Sequence, residues 1–348
     1  MNTLPLRQLE KAQVLTALST RKYRLTELAS SANQHVWSAH SERSESPHGT
    51  SSSSCTILTE ISDGTQVIIK SPLRKQHAQQ SRAIRRLDTE MMILNHPLKD
   101  TEGIQQLIDQ IIITPSCGTQ VRAGVFEYLD HDFHTFQKCR LSQLEIKSIA
   151  RQVFKALSTT HGQNIVHTDL KLENLVFTRL MNSISVNITN FGMASLDFND
   201  RHRLITNPCW RSPESWLGMP WGPPADIWSV GAIIGSLMME PGAMLFQPVG
   251  SPAGSQREDR DQEFIRSLCT IVPFPKTFLQ RSPTEWQERI SRLSPRLTPT
   301  GAPISLSSIG ETFQIPRPDW EFVRDILEVD PDERPTASEI LKHPWLNS

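Results

Sequence analysis

The sequence has no excess of charge of either sign. Its 348 residues carry 36 Lys and Arg against 37 Asp and Glu, so the formal net charge is -1. Proteins that bind nucleic acid or an anionic membrane surface usually show a marked basic excess. The charge balance therefore predicts no nucleic-acid partner.

Cysteine is scarce, and its spacing suggests no pairing. The five cysteines are an odd number with no C-x-x-C pair: Cys55, Cys117, Cys139, Cys209 and Cys269. This pattern argues against a disulfide framework and favours a reducing compartment. The segment from Met1 to Thr20 lacks the uninterrupted apolar core of a secretory signal. We therefore expect an intracellular protein, in the cytoplasm or the nucleus.

A long hydrophobic run is also lacking. The most apolar segment extends from Ile227 to Phe246, but Glu240 and Pro241 interrupt it before it reaches the length of a bilayer. An apolar helix this short is more typical of the buried centre of a large soluble domain. The sequence therefore predicts no membrane span.

The first third of the chain is predicted to be rich in strands. The expected strands are Tyr23 to Leu28, with Gln34 to His40 as its partner, and a hairpin of Cys55 to Ile61 and Thr65 to Lys70 around Asp63-Gly64. The polar run from Ser41 to Ser54 is expected to be a flexible insert. The segment from Gln79 to Leu94 is expected to be a helix.

The rest of the chain is predicted to be mostly helical. Ser142 and Glu145 form a capping box before an apolar helical pattern that ends at His161-Gly162. Later segments are expected as short strands at Asn164 to His167 and Leu175 to Thr178, a buried helix at 226–239, an irregular stretch at 247–315, and helices around Trp320 to Leu327 and at Thr336 to Leu341, where Thr336 and Glu339 form a second capping box. A sheet-bearing part followed by a helical part predicts an α+β, two-lobed fold.

The strongest chemical signal is the segment His167 to Asn174, H-T-D-L-K-L-E-N. It places a carboxylate (Asp169), an ammonium (Lys171) and an amide (Asn174) in one loop between two apolar runs. Phosphoryl transfer needs a proton acceptor, a cation near the moving phosphoryl group and an oxygen ligand for Mg²⁺. Any turn can hold these three side chains, but their spacing favours the chemical interpretation.

This segment resembles the catalytic loop of protein kinases, H-R-D-L-K-x-x-N, with Thr168 in place of the usual Arg. Other motifs of that family follow in the family's order. They are Val67 to Lys70 (V-A-I-K), Glu90 on the following helix, Asn190 to Gly192 (D-F-G), Ser212 to Glu214 (A-P-E), Asp226 to Gly231 (D-x-W-S-x-G) and Arg334, the expected partner of Glu214. The resemblance extends from about residue 23 to about residue 346.

The resemblance implies the protein-kinase fold, with a small β-rich lobe and a large helical lobe. It places an N-terminal extension at 1–22, the small lobe at 23–127 with a flexible insert at 41–54, and the large lobe at 128–348. The segment Phe126 to Asp130 is similar to the hinge of the cyclin-dependent, mitogen-activated and SR-protein kinase group. Lys171 matches the serine/threonine type.

The resemblance also implies roles for individual residues. Asp169 is the expected catalytic base, with Lys171 beside it. Lys70, paired with Glu90, is expected to hold the α- and β-phosphates of ATP. The other expected nucleotide-binding residues are Val36, Glu127, Leu129 and Leu175, and the expected Mg²⁺ ligands are Asn174 and Asn190.

Two family motifs that bind metal and phosphate are altered. The D-F-G aspartate is Asn190, whose neutral amide lacks the charge that Mg²⁺ prefers. The glycine-rich loop aligns with Leu28 to Val36, where Ala29, Ser31 and Gln34 replace three glycines that allow the backbone to approach phosphate closely. Both changes predict weakened binding of Mg²⁺-ATP.

Three smaller departures point the same way. Ile68 replaces an Ala that lies against adenine in the family, and its extra carbons should crowd the base pocket. Asn207 stands where the family usually has a Thr near the catalytic Asp. Thr168 removes the Arg that usually receives the activation-loop phosphate, so activation by loop phosphorylation is not expected.

Two functions are compatible with these residues. We expect a catalytically impaired, kinase-like protein, a pseudokinase, which acts as a binding or regulatory module for a protein partner and binds ATP weakly or not at all. The alternative is an active serine/threonine kinase that uses ATP and Mg²⁺, acts on a protein substrate and has an unusual metal dependence. The alternative stays open because Lys70, Glu90, Asp169, Lys171 and Asn174 are all retained.

Overall fold

The structure, a computed structural model, describes residues 14–16, 18–19, 22–27, 53–60, 66–72, 77–113, 120–129, 140–179, 181, 183–196, 202–246, 257–293 and 305–348. The chain divides into two compact units. The sheet unit comprises Met1–His134, Leu175–Thr178 and Val186–Ala194, and the helical unit comprises Thr135–Asn174, Arg179–Ser185 and Ser195–Ser348. The first carries an antiparallel sheet and the second is mostly helical, which confirms the predicted α+β class.

The sheet unit contains a six-stranded sheet. Its strands are β1 (Val14–Thr16), β2 (Lys22–Glu27), β3 (Ser53–Glu60), β4 (Gln66–Pro72), β5 (Leu107–Ile113) and β6 (Val121–Glu127). They are arranged in the order β1-β2-β3-β4-β6-β5, and every neighbouring pair is antiparallel. The adjacent pairing of β3 and β4 agrees with the predicted hairpin, whose turn lies outside the described residues. Strand β1 falls within the predicted N-terminal extension.

One helix of the sheet unit, α1 (His77–Asn95), packs against β4, β5 and β6. Its buried positions repeat at three- and four-residue spacing: Ala83, Leu87, Met91 and Leu94. This spacing is typical of an amphipathic helix that covers a core. Glu90 lies on the same buried face. The helix therefore carries a carboxylate into the interior of the sheet unit.

The helical unit is assembled from short and medium-length helices. They are α2 (Gln143–Gly162), α3 (Pro213–Trp216), α4 (Pro223–Leu237), α5 (Arg257–Ile271), α6 (Lys276–Gln280), α7 (Thr284–Ser291), α8 (Leu306–Thr312), α9 (Arg317–Ile326), α10 (Ala337–Ile340) and α11 (Pro344–Asn347). The capping boxes predicted at Ser142 and Thr336 are both present, before α2 and α10. A second, two-stranded sheet consists of β7 (Leu175–Arg179) and β8 (Ile184–Ile188), and most of its residues belong to the sheet unit.

Helix α4 forms the centre of the helical unit. Every residue from Ala225 to Ser236 is buried, and the helix packs against α2 and α9. Its apolar composition is therefore explained by burial on all sides. None of the helices in the described ranges is both long and apolar enough to cross a membrane.

The prediction of an irregular stretch at 247–315 was wrong. This region contains α5, α6, α7 and α8, although residues 247–256 and 294–304 lie outside the described part. Pro275 and Pro283 stand at the N-cap positions of α6 and α7. There, a missing N–H costs no helical hydrogen bond, so these prolines begin helices and do not disrupt them.

Two strand predictions also need correction. The expected strand at Asn164 to His167 is reduced to one bridge between Val166 and Ser195, because Asn164 has a positive φ of 57° that interrupts an extended chain. The predicted insert ended at Ser54, whereas β3 begins at Ser53 and pairs with the end of β4. The predicted strand at 34–40 lies outside the described residues, and the neighbours of β2 are β1 and β3.

Candidate active site

Lys70 and Glu90 form the ion pair that the motifs predict. Nζ of Lys70 lies 2.7 Å from Oε1 of Glu90, and both side chains are buried. The ammonium also lies 4.3 Å from the centre of the Phe126 ring. A buried ammonium is stable only with partners of this kind. The pair is therefore fixed within the sheet unit.

Asn190 begins the segment that resembles D-F-G. It adopts the left-handed conformation, with φ 67° and ψ 56°, before a short 3₁₀ turn at Phe191–Met193. Asn and Asp both tolerate this conformation better than most residues. Phe191 is fully buried, and a side chain at Gly192 would lie 3.0 Å from the carbonyl oxygen of Arg86 on α1. Asn190 is therefore well suited to this backbone conformation, but its side chain lacks the charge that an aspartate would carry.

The other predicted nucleotide contacts differ in exposure. Leu175 is buried at the start of β7, while Leu129 and Ile68 are half-buried. Glu127 ends β6, and its carbonyl oxygen accepts a hydrogen bond from Nε2 of Gln105 at 2.9 Å. Val36 and the whole segment from Leu28 to Val36 lie outside the described residues.

Asp226 holds the backbone of the catalytic-loop segment in the helical unit. Its carboxylate accepts the N–H groups of His167 and Thr168 at 2.7 and 3.0 Å. Nε2 of His161 lies 3.1 Å from the same carboxylate. Because Asp226 is buried in the first turn of α4, the loop is anchored to the buried central helix of this unit.

Asp169, Lys171 and Asn174 are brought together by this loop. Nδ2 of Asn174 donates to the main-chain oxygen of Asp169 at 2.6 Å and to its carboxylate at 3.2 Å. Nζ of Lys171 lies 3.6 Å from the same carboxylate. The three functions predicted from sequence therefore form one cluster. A carboxylate beside an ammonium is suited to accept a proton from a hydroxyl near a phosphoryl group.

Two threonines in positive-φ conformations connect this loop to the following segment. Thr168 has φ 63° and Thr206 has φ 61°, which is unfavourable for a β-branched residue. The Thr168 carbonyl accepts both the N–H of Thr206, at 2.9 Å, and its hydroxyl, at 3.0 Å. Arg211 donates to the carbonyls of Ile205 and Thr206, each at 2.8 Å. These bonds compensate the strain and fix both segments.

Asn207 and Cys209 have structural roles in this segment. The Asn207 side chain accepts the N–H of Cys209 at 3.2 Å and caps the 3₁₀ turn Pro208–Trp210. Burial, together with the negative charge of Glu173, raises the pKa of the Cys209 thiol to about 12. The thiol is protonated at neutral pH, so Cys209 is not a nucleophile.

Arg334 and Glu214 form a fully buried bidentate ion pair. The two nitrogen–oxygen distances are 2.9 and 3.0 Å. The remaining guanidinium N–H groups donate to the carbonyls of Glu328, Pro224 and Val329. All five donors of the arginine are therefore used, and the pair expected from the A-P-E motif is present.

The residues expected to bind Mg²⁺ offer neutral donors. Asn174 and Asn190 each provide one amide oxygen, whereas Mg²⁺ is usually held through carboxylates. Across the described ranges, no group of three or more His, Cys, Asp and Glu side chains could hold a metal ion. This donor set fits Mg²⁺ poorly.

Residues 48–346 match the protein kinase domain family. The chain belongs to the protein kinase family. This membership accounts for the order of the motifs, for the small antiparallel sheet unit and for the helical unit with its buried α4.

Kinases of several organisms are similar to this chain. Cyclin-dependent kinase 12 of Drosophila melanogaster is 30% identical over 64% of the chain and 18% of its own length. Dual specificity protein kinase lkh1 of Schizosaccharomyces pombe is 26% identical over 58% of the chain and 31% of its own length. Serine/threonine-protein kinase AFC2 of Arabidopsis thaliana is 26% identical over 58% of the chain and 52% of its own length. The chain thus spans between a fifth and about half of these relatives.

Sequence reasoning missed several residues that organise the site. Gln105, which bonds to both Lys70 and Glu127, was not predicted, nor were the bonds of Thr206 and Arg211. The polar pair at Gln105-Gln106, between Ile104 and Leu107, was the available signal. The strained threonines left no local signal, because their φ angles depend on contacts far along the chain.

Proposed function

We propose that the chain is a catalytically impaired kinase-like protein, a pseudokinase, that acts as a binding or regulatory module for a protein partner. The observation that carries this proposal is Asn190. Its left-handed backbone is one that an aspartate also tolerates, while its amide lacks the negative charge of the family's aspartate. In this proposal the impairment comes from the lost charge.

The size of the expected impairment follows from the lost charge. A missing metal-ligand charge that costs about 3–5 kcal/mol at the transition state lowers the rate about 10²- to 10⁴-fold. The replaced glycines of the segment Leu28 to Val36 add a second deficit, because the backbone covers phosphate less closely. Weak or absent binding of Mg²⁺-ATP is the combined expectation.

A second candidate function is supported by a different observation. The sheet unit holds the Lys70–Glu90 pair and the helical unit holds the cluster of Asp169, Lys171 and Asn174, and each contains side chains of the kinds that phosphoryl transfer needs. An active serine/threonine kinase with ATP and a divalent ion, acting on a protein, is therefore the alternative. The bonds between Thr168 and Thr206 would then order the loop without a phosphate.

Phosphate transfer distinguishes the two candidates. Radiolabelled ATP with Mg²⁺ or Mn²⁺ would be used to follow autophosphorylation and transfer to a generic basic protein, for the wild type and for Asp169→Asn. We expect the two proteins to give the same background rate. Transfer at the rate of an active kinase that Asp169→Asn abolishes would establish the alternative.

Restoring the metal charge alone is not expected to restore activity. Asn190→Asp restores the charge of the metal ligand, but the replaced glycines and Ile68 remain. The effects of residues that act together in catalysis are not additive. A variant that adds Ile68→Ala, Ala29→Gly, Ser31→Gly and Gln34→Gly should gain more than the sum of its separate changes. Full activity of the single variant in the same assay would show that the glycine segment is unimportant.

A further inference from the structure

Gln105 is a buried amide next to the Lys70–Glu90 pair. It is 1% exposed and precedes β5, where its N–H donates to the carbonyl of Ile188 at 3.0 Å. Burial of an amide is unfavourable unless its groups are hydrogen-bonded. The partners of this side chain therefore decide why a glutamine is tolerated in the interior of the sheet unit.

Both ends of the Gln105 amide are bonded. Nζ of Lys70 donates to Oε1 at 3.3 Å, and Nε2 donates to the main-chain oxygen of Glu127 at 2.9 Å. An ammonium can only donate and a carbonyl can only accept. The amide is therefore held in one orientation. If it were flipped, its NH₂ group would face the ammonium and its oxygen would face the carbonyl oxygen of Glu127.

The two partners of Gln105 are residues expected to bind the nucleotide. Lys70 is the expected phosphate contact, and Glu127 is an expected nucleotide-binding residue in the segment that resembles the kinase hinge. The 6-amino group is the donor that adenine presents on its pairing edge, and a main-chain carbonyl such as that of Glu127 is a suitable acceptor. The Gln105 amide already donates a hydrogen bond to that carbonyl, and its oxygen already accepts one from Lys70.

We propose that Gln105 determines the nucleotide specificity of this site, because its amide competes with an adenine nucleotide for Glu127 and Lys70. This inference rests on the proposed function, in which the site binds nucleotide weakly, and it names one cause of that weakness. A nucleotide that engages both residues must displace or share both Gln105 bonds. Removal of the amide frees a contact for the phosphates of any nucleotide and a second contact for adenine alone.

The environment of Lys70 strengthens this competition. The ammonium is 4% exposed and is already in contact with Glu90 and with the face of Phe126. The Phe126 ring lies across Gly124, where a Cβ would be only 2.5 Å from the ring. The Lys70 ammonium is thus held near Gln105 by its contact with the Phe126 ring and by its ion pair with Glu90. A phosphate must therefore share this ammonium with Glu90 and Gln105 or displace one of them.

The test replaces Gln105 with an unbranched side chain of similar size that cannot form these bonds. Dissociation constants of ADP and of inosine diphosphate, which carries an oxygen in place of the 6-amino group, would be measured by calorimetry in EDTA for the wild type and Gln105→Met. One released hydrogen bond corresponds to about a 5-fold change in affinity. We expect ADP to bind about 25-fold more tightly and inosine diphosphate about 5-fold more tightly.

Equal gains for the two nucleotides, or no gain for ADP, would overturn the proposal. A merely structural role of Gln105 would not separate ADP from inosine diphosphate. If urea denaturation shows that Gln105→Met is not folded, Gln105→Val replaces it, and the same changes in affinity are expected.

Gln106→Met is the matched control. The Gln106 side-chain amide bonds to the main chain of Asp100, Thr101 and Ile104, and its own main-chain pairing with Glu127 is unaffected by the substitution. We expect the affinities for both nucleotides to stay within about 2-fold of the wild type, since no released bond reaches Lys70 or the Glu127 carbonyl. An ADP gain equal to that of Gln105→Met would contradict the proposed contact.

These measurements can fail separately from the pseudokinase proposal. They contain no metal ion and no transfer step, so Asn190 has no part in them. Transfer by the wild-type protein would overturn the proposed function and leave the role of Gln105 standing. If Gln105→Met left the affinity ratio of ADP to inosine diphosphate unchanged, the role of Gln105 would be overturned and the proposed function would stand.

Discussion

At the scale of single residues, a neutral side chain can adopt the backbone conformation of a charged one and still lack its charge. Asn190 shows this in its left-handed conformation, which an aspartate would share. Thr168 shows it too, because its main chain is held by Asp226 and Thr206 although the usual arginine side chain is missing. The conformation of such motifs is therefore a poor measure of their chemistry.

Ser212 offers a prediction at the same scale. Its side chain is 1% exposed, and among the described residues its hydroxyl has no hydrogen-bond partner. It also makes no capping bond at the start of α3. Because an unsatisfied buried hydroxyl is unfavourable, Ser212→Ala should raise the free energy of unfolding by about 1 kcal/mol.

Ser229→Ala is the control for this prediction. Ser229 is equally buried, but its hydroxyl donates to the carbonyls of Trp210 and Ala225 at 2.8 and 3.1 Å. Its loss should lower the free energy of unfolding by about 1 kcal/mol. Urea denaturation would compare both variants with the wild type, and destabilisation by Ser212→Ala would show that the hydroxyl has a partner.

At the scale of elements, glycines in α4 permit close packing of neighbouring chain segments. A Cβ at Gly231 would lie 2.6 Å from Cγ2 of Ile326 and 3.0 Å from Cδ2 of Leu327. Real side chains are never this close, so an added methyl group must displace the end of α9. At Gly231, α4 therefore packs so closely against the end of α9 that a larger side chain cannot be accommodated.

Gly231→Ala should therefore destabilise the protein despite the better helix propensity of alanine. Overpacking costs about 1–3 kcal/mol, and the improved propensity offsets about 1 kcal/mol, so we expect a net loss of up to about 2 kcal/mol. Gly162→Ala, at the end of α2, has no atom within 4 Å of the new Cβ. It should be neutral or slightly stabilising in the same urea denaturation, and an equal loss in both variants would refute the packing argument.

Local sequence signals predicted several helices and strands, whereas features that depend on contacts between distant residues could not be predicted. The capping boxes at Ser142 and Thr336 each lie within four residues, so the sequence alone identified the starts of α2 and α10. The helices in 247–315 were missed because proline and serine usually indicate loops, whereas Pro275 and Pro283 stand at N-caps, where no helical hydrogen bond is lost. The partners of Gln105 come from β4 and β6, and no local pattern names them.

At the scale of the whole molecule, the family motifs allowed predictions that local patterns could not. The Lys70–Glu90 and Glu214–Arg334 pairs join residues 20 and 120 positions apart, and both were expected from motif order alone. The same motifs gave the α+β class and a two-lobed plan. They could not decide catalysis, since that depends on the few positions at which this chain departs from its family.

The central claim, that the site has lost its metal-ligand charge at Asn190, is tested most directly by the Mg²⁺ dependence of ATP affinity. Calorimetric titration of the wild type and Asn190→Asp with ATP, each in EDTA and in Mg²⁺, gives four dissociation constants. We predict weak binding by the wild type that Mg²⁺ does not tighten, and a gain in Mg²⁺ for Asn190→Asp because a carboxylate restores the ligand. A micromolar wild-type constant that tightens further with Mg²⁺ would contradict the account.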